Sequence, residues 1–216
     1  MNAAISVFVM NLGKYNEGYI DGEWIDLPIS NDKMQEVFKN IQIGDGYEEF
    51  CIADSESSIY NLSSYIGEFS NLSELNYLAD RIEDLDPGDL ELFEALIETE
   101  NWAHSIKDLI NLIDNLDIFS LIDAKDNYDL GYYWLAESGC YNLSNLGFLE
   151  NYIDYEAYGR DVAIEQDGWF VANGYIYSDG SSIEEFYSGI DDIPDEFLLY
   201  YDKNDDDDED EEDGGN

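Results

Sequence analysis

AISVFVMNLGKYNEGYIDGEWIDL, residues 4–27, holds two short apolar stretches on either side of a polar one. Residues 4–10 (AISVFVM) alternate weakly and residues 22–27 (GEWIDL) repeat the pattern, so both read as strands. The stretch between them, NLGKYNEGYID, carries the Asn and Gly that chain reversals favour. A short antiparallel sheet follows. Working outward, Asn31 stands where a helix cap belongs, ahead of a helix over 32–41 whose Met34, Val37, Phe38 and Ile41 keep helical spacing. Residues 48–53 offer a further strand.

From Asn71 the period turns helical. Leu72, Leu75, Leu78, Ala79, Ile82 and Leu85 fall on one face, and Asn71 and Glu74 have capping-box spacing. Asp86-Pro87 starts the next helix, with Asp as cap and Pro at the first helical position, and Leu90, Phe93, Leu96 and Ile97 form its inner face. Ser105 caps a third helix with Ile106, Leu109, Ile110, Ile113 and Leu116 inside. A fourth runs from about Asn127 to Ser138 and stops at Gly139. Beyond it the chain reads as β-like again, and WFVANGYIYSDG (residues 169–180) resembles a hairpin around Asn173-Gly174. Strands at both ends and helices between predict an α+β fold. The low-complexity run DDDDEDEED, residues 205–213, predicts a disordered tail over 202–216.

Charge sets this chain apart: 52 Asp and Glu stand against 8 Lys and Arg, a formal net charge of −44 over 216 residues. Such a charge usually marks disorder, because like charges repel and little apolar surface is left to offset ordering entropy. Here 44% of residues are apolar, with 18 Tyr, 10 Phe and 4 Trp and only 3 Pro, which is enough to close a core. Residues 202–216 hold ten acidic residues and one Lys, which leaves −35 on residues 1–201. Solubility needs only about 2 to 8 charges in a small domain. The excess points to a cation or to a protein whose surface receives a polyanion. Duplex DNA carries one charge per about 1.7 Å of axis, so the body's charge matches roughly 60 Å of duplex. The helical stretch shows the same excess locally: Glu83, Asp84, Asp89, Glu91, Glu94, Glu98 and Glu100 line an outer face with almost no Lys. Solvated helices ordinarily alternate charge signs to gain i,i+4 pairs. Halophilic adaptation would explain acids, but not a Tyr- and Asn-rich body with this much Ile.

Chemistry finds little support. With 52 acids any two could be offered as a general acid and base, so carboxylate pairs carry no information. The closest calcium-loop match, Asp126 to Glu137 with Gly131 at the turn, places Tyr128 and Leu130 at two ligand positions and fails there. His104 is a lone His, better suited to a structural role than to catalysis or metal binding. Neither GxSxG nor GxxxxGK is present. Cys51 and Cys140 lack CxxC spacing and are expected to be free, buried thiols. No metal, cofactor or catalytic residue is expected. Direct nucleic-acid binding is disfavoured because phosphates would meet a negative surface. Met1 to Met10 has no basic n-region and no window reaches the ~18 apolar residues of a membrane span, so a cytoplasmic protein is expected.

Three segments, VFVMNLGKYNEGYIDGEWIDLP (Val7 to Pro28), YEEFCIAD (Tyr47 to Asp54) and ENYIDYEAYGRDVAI (Glu150 to Ile164), resemble the ArdA antirestriction family in its own order. The specific motifs are LGKYNEG and NYIDYEAYGRD, and the resemblance covers about residues 5 to 178. It implies a non-catalytic mimic of B-form DNA, encoded on mobile genetic elements. Such a mimic occupies the DNA groove in the methyltransferase core of type I restriction-modification enzymes. It also implies an elongated, curved homodimer of small domains, here 1–70 (α+β), 71–115 (helical) and 116–201 (α+β with an extension), ahead of the tail 202–216. On this reading the mimic surface adds to the helical acids Glu17, Asp21, Glu23, Asp45, Glu48, Glu49 and Asp54. Further along it takes Glu74, Asp80, Asp126, Asp129 and Asp161. The family's antirestriction motif, associated with dimerisation, falls at about Cys140 to Tyr155. Its apolar members Leu143, Leu146, Phe148, Leu149 and Tyr152 suit a dimer interface, and they equally suit domain core. The extension IEEFYSGIDDIPDEFLLYY departs from the family pattern. A different class of function, an acidic sequestering or chaperone-like module for basic proteins, could work through the acidic tail alone.

Overall fold

Alternation along the first strand, β1 (Ile5–Asn11), buries Ile5, Val7 and Val9 and leaves Ser6 and Phe8 on the other face. It is the central strand of an antiparallel sheet, flanked by β2 (Gly22–Leu27) and β3 (Phe50–Ser57) in the order β2-β1-β3. The β1–β2 register pairs Ile5 with Leu27 and Val7 with Ile25 on the buried face, and Phe8 with Trp24 on the other. A bulge at Phe8/Val9 interrupts the β1–β3 ladder. The connection between the first two strands contains a short helix, α1 (Leu12–Asn16), whose N-terminus is capped by Asn11.

The computed structural model describes residues 3–44 and 46–201, and there the chain is α+β with two three-stranded antiparallel sheets. It divides into two compact units. One takes the chain up to Ser58, Ile66–Asp80 and the chain from Ile190 on; the other takes Ile59–Tyr65 and Arg81–Gly189. The predicted acidic tail, 202–216, lies outside the described residues.

In the first unit, helix α2 (Asn31–Asn40) buries Met34, Val37 and Phe38, and the Phe38 ring meets Phe50 of β3 at 5.0 Å. Its cap is Ser30, not Asn31. The Asn31 carboxamide is engaged elsewhere: its Oδ1 accepts from the Tyr200 amide at 3.1 Å. Helix α3 (Leu72–Glu83) begins as predicted, with Asn71 Oδ1 accepting from the amides of Ser73 and Glu74. Its Leu72, Leu75, Leu78, Ala79 and Ile82 are buried. Buried Asn76 joins three segments of this unit, accepting from Ile29 N at 2.7 Å and donating to the carbonyls of Ile29 and Phe197.

The second unit starts from two well-capped helices. Asp86 caps α4 (Pro87–Thr99) with Pro at the first position, and Ser105 caps α5 (Ile106–Ile113). Of the predicted faces, Phe93, Leu96, Ile97, Ile106, Leu109, Ile110, Ile113 and Leu116 are buried, and Leu90 is half-buried. A second sheet, β4-β6-β5, follows from β4 (Phe119–Ile122), β5 (Trp169–Val171) and β6 (Gly174–Ser178). Val171 pairs with Gly174, so the hairpin turns on Ala172-Asn173, one residue earlier than the Asn-Gly pair suggests.

Between β4 and β5 the chain is helical, not β-like. Helix α6 (Asn127–Tyr132) continues through a π turn (Tyr133–Glu137) to Gly139, and α7 (Tyr155–Gln166) packs against it. The crossing is held at glycines. A Cβ on Gly131 would come within 2.0 Å of the Tyr155 carbonyl oxygen, and one on Gly159 within 1.8 Å of the Asn127 carbonyl oxygen. Leu130 then reaches a small core with Ile122, Ala124 and Tyr175. Burial raises the Tyr175 phenol to about 12.

Candidate partner-binding surface

Helix α4 presents its acids because its capping and core residues leave no other face for them. Phe93, Leu96 and Ile97 turn inward, so Asp89 and Glu91 are exposed and Glu94 and Glu98 half-buried. Glu91, Glu94 and Glu98 span about 10 Å of helix axis at 1.5 Å per residue. Between Arg81 and Lys107 the chain has no Lys or Arg, while Glu83, Asp84, Asp86, Asp89, Glu91, Glu94, Glu98 and Glu100 all fall there. The row is therefore not neutralised along its own segment.

Other predicted acids are partly spent on the fold. Glu98 accepts from the Ala172 amide at 3.0 Å at the hairpin turn, and Glu100 accepts from Asn61 Nδ2 at 2.9 Å. Asp126 caps α6 through the Asp129 amide, and Asp129 accepts from Lys125 N. The calcium-loop match at Asp126 is thus a helix start rather than a loop; among the described residues no cluster of His, Cys, Asp or Glu could hold a metal ion. Asp161 is exposed and pairs with its neighbour Arg160 at 3.2 Å.

In the first unit Asp21 pairs with Lys14 at 2.5 Å, Glu23 accepts from Asn40, and Glu17 accepts from the Tyr47 hydroxyl at 2.9 Å. That bond is the main reason the Tyr47 phenol is raised. Glu48, Glu49 and Asp54 are exposed, Glu74 and Asp80 are half-buried, and Asp45 lies outside the described residues. Exposed Asp26 and Glu56 extend the acidic surface where the sequence reading places nothing. Strand alternation is the signal for them: Asp26 shares a face with Trp24, whereas Glu23 points the other way.

The segment after Gly139 is a run of short 3-10 turns (Leu143–Asn145 and Gly147–Tyr152) in which no residue is buried. Phe148 is 74% exposed and Tyr152 78%, with Leu146 and Leu149 also exposed and Leu143 half-buried. These side chains are not domain core. Cys140 at the start of the segment is exposed too, unlike the buried Cys51. His104 is exposed, and its amide donates to Asp108. Among the described residues no helix is long and apolar enough to cross a membrane.

An acid-lined surface agrees with what comparison finds: the sequence profile described as antirestriction protein (ArdA) matches residues 7–177. The chain belongs to the ArdA family. Membership implies an antirestriction function and interaction with restriction enzymes, and the family is one of non-enzymatic inhibitor proteins. No curated protein matches the chain significantly. The ArdA match ends at Ser178's neighbour Tyr177, so the extension over 183–201 lies beyond it.

The extension is nonetheless built into the fold. In the second unit Asn111, on α5, accepts from the amides of Phe186 and Tyr187 and donates to the Tyr187 carbonyl, while Asn115 grips Glu184 in the same way. In the first unit Ser73 exchanges hydrogen bonds with both backbone groups of Leu199. Gln35 donates to the Tyr200 carbonyl. These buried or half-buried carboxamides and hydroxyls stand in for a neighbouring strand, satisfying an extended backbone that has no sheet partner of its own.

Proposed function

We propose that this ArdA protein inhibits type I restriction-modification enzymes by occupying the DNA-binding groove of their methyltransferase core as a mimic of B-form DNA. The observation that carries this reading is the row of acids from Glu83 to Glu100, without a Lys or Arg from residue 82 to 106. An ordinary solvated face would gain from opposite charges at i,i+4, and a groove evolved for phosphates rewards their absence. The exposed acids Glu83, Asp84, Asp89 and Glu91 are the leading contacts, joined in the N-terminal unit by Glu48, Glu49 and Asp54. The exposed apolar run Leu146, Phe148, Leu149 and Tyr152 is the homodimer interface, since two chains of −44 associate only if apolar burial outweighs their repulsion. The three-part division at about residues 70 and 115 belongs to the same reading.

Competition tests the mechanism. A type I modification complex is titrated with labelled DNA and this protein at two salt concentrations. The protein is expected to displace DNA competitively, with an affinity that falls steeply as salt rises, because the ion pairs across the interface are screened. Binding that leaves DNA in place, or that ignores salt, overturns the mimic.

A further inference from the structure

The outer face of the first sheet carries an open groove of about 660 Å³. Phe8, Tyr15 and Ile20 are among its lining residues, and Asp54 and Glu68 supply carboxylates. Tyr15, in α1, is 53% exposed and Ile20, in the connection to β2, 79%, so the groove displays large apolar side chains to solvent. The bulge in β3 is what brings a carboxylate here. Val9 pairs with Ile52, and an unbroken ladder would set Ala53 opposite Phe8; the extra residue sets Asp54 there instead. Glu68 arrives from a separate segment, tied to the strand by the bond from Ile52 N to its carbonyl at 2.9 Å. Its charge and burial together raise the thiol of Cys51, which also lines the groove, burial having the larger effect.

We propose that this groove receives an arginine side chain from a basic segment of the partner protein. A guanidinium is planar and weakly hydrated, stacks on aromatic rings and donates to carboxylates in a fixed fork, so a groove lined by two carboxylates and by aromatic and aliphatic side chains suits it. A lysine ammonium, compact and strongly hydrated, gives up more on leaving water. Anionic ligands and anionic membrane surfaces meet a body at −35 and are repelled. That the partner is a DNA-binding enzyme rests on the proposed function; the preference of the groove for a guanidinium does not. DNA grooves take arginine on base edges and phosphates, not on carboxylates beside apolar side chains, so this groove would add a localised contact to an otherwise distributed charge match.

The test uses the full chain, isotopically labelled, and three five-residue peptides of the form acetyl-Gly-Leu-X-Leu-Gly-amide with X as Arg, Lys or Gln. Amide shifts at Ala53, Asp54, Gly67 and Glu68 are expected to saturate with the Arg peptide, at a several-fold lower concentration than with Lys, and to be absent with Gln. Asp54→Asn with Glu68→Gln should weaken Arg-peptide binding at least tenfold with the rest of the amide spectrum unchanged. Glu68→Gln alone, a change on an exposed segment, should weaken it measurably and serves if the double variant is disturbed. Shifts spread evenly over all acidic segments, equal binding of the Lys peptide, or indifference to Glu68→Gln overturn the proposal. DNA competition run alongside separates the two readings: inhibition without peptide binding sinks the groove alone, and peptide binding without inhibition sinks the mimic alone.

Discussion

Gly131 and Gly159 allow α6 and α7 to approach until each glycine faces a carbonyl of the other helix, closer than any side chain permits. Because the obstructing atoms are backbone, neither can swing aside. Gly159→Ala is expected to destabilise the protein by about 1–3 kcal/mol through overpacking, or a fall in Tm of roughly 2–4 °C for each kcal/mol at this chain length. Gly88→Ala, in the first turn of α4 with only the Asp86 carboxylate at 3.4 Å, should leave Tm unchanged or slightly raised. Paired thermal melts check both, and equal losses would mean that the α6–α7 contact is looser than described. Nothing in the sequence marks these two glycines as a helix crossing. Gly131 attracts notice only as the turn of a failed calcium loop, because the atoms it must avoid belong to residues far along the chain.

Helix α7 shows how the same contact hides an element. A helix is read from apolar residues recurring at 3.6-residue spacing, yet only Tyr155 and Gly159 of α7 are buried, and glycine contributes no hydrophobic signal. Helices α4 and α5 bury large aliphatic side chains and follow clear caps, so their starts and faces were legible. Strand β4 was missed for a related reason. Its residues continue the apolar run of α5 and Leu116, and only pairing with β6 distinguishes it. At this scale the antirestriction segment makes its own prediction. Phe148 is 74% exposed, so Phe148→Asp removes no core and is expected to give a folded monomer by light scattering, with unchanged circular dichroism. A variant that stays dimeric places the interface elsewhere.

Over the whole molecule, the 8 basic residues are too few to neutralise the acids, and Lys14, Arg81, Lys107 and Arg160 are already held by Asp21, Asp114, Glu185 and Asp161. The charge offered to a partner therefore belongs chiefly to the body. Deleting Asp205–Asp213 leaves the −35 of residues 1–201 in place and is expected to preserve most inhibition, with at most a modest loss in association rate at low salt. Loss of inhibition in a truncated chain that keeps its circular dichroism would favour sequestration of basic proteins by the tail over mimicry of DNA.

Composition alone determined that this protein is a polyanion with enough apolar residues to close a core, because net charge and apolar content are sums that no arrangement alters. Caps and helical faces such as Asp86-Pro87 with Phe93, or Ser105 with Leu109, were also local, since the groups involved lie within a few residues of one another. Only the tertiary structure decided which carboxylates remain available. Glu98 meets the Ala172 amide across 74 residues of chain, Asn111 holds Tyr187 across 76, and the bulge opposite Phe8 exchanges Ala53 for Asp54. Each depends on pairing between distant segments, whose register is set by the burial of a whole face and cannot be read from either segment by itself.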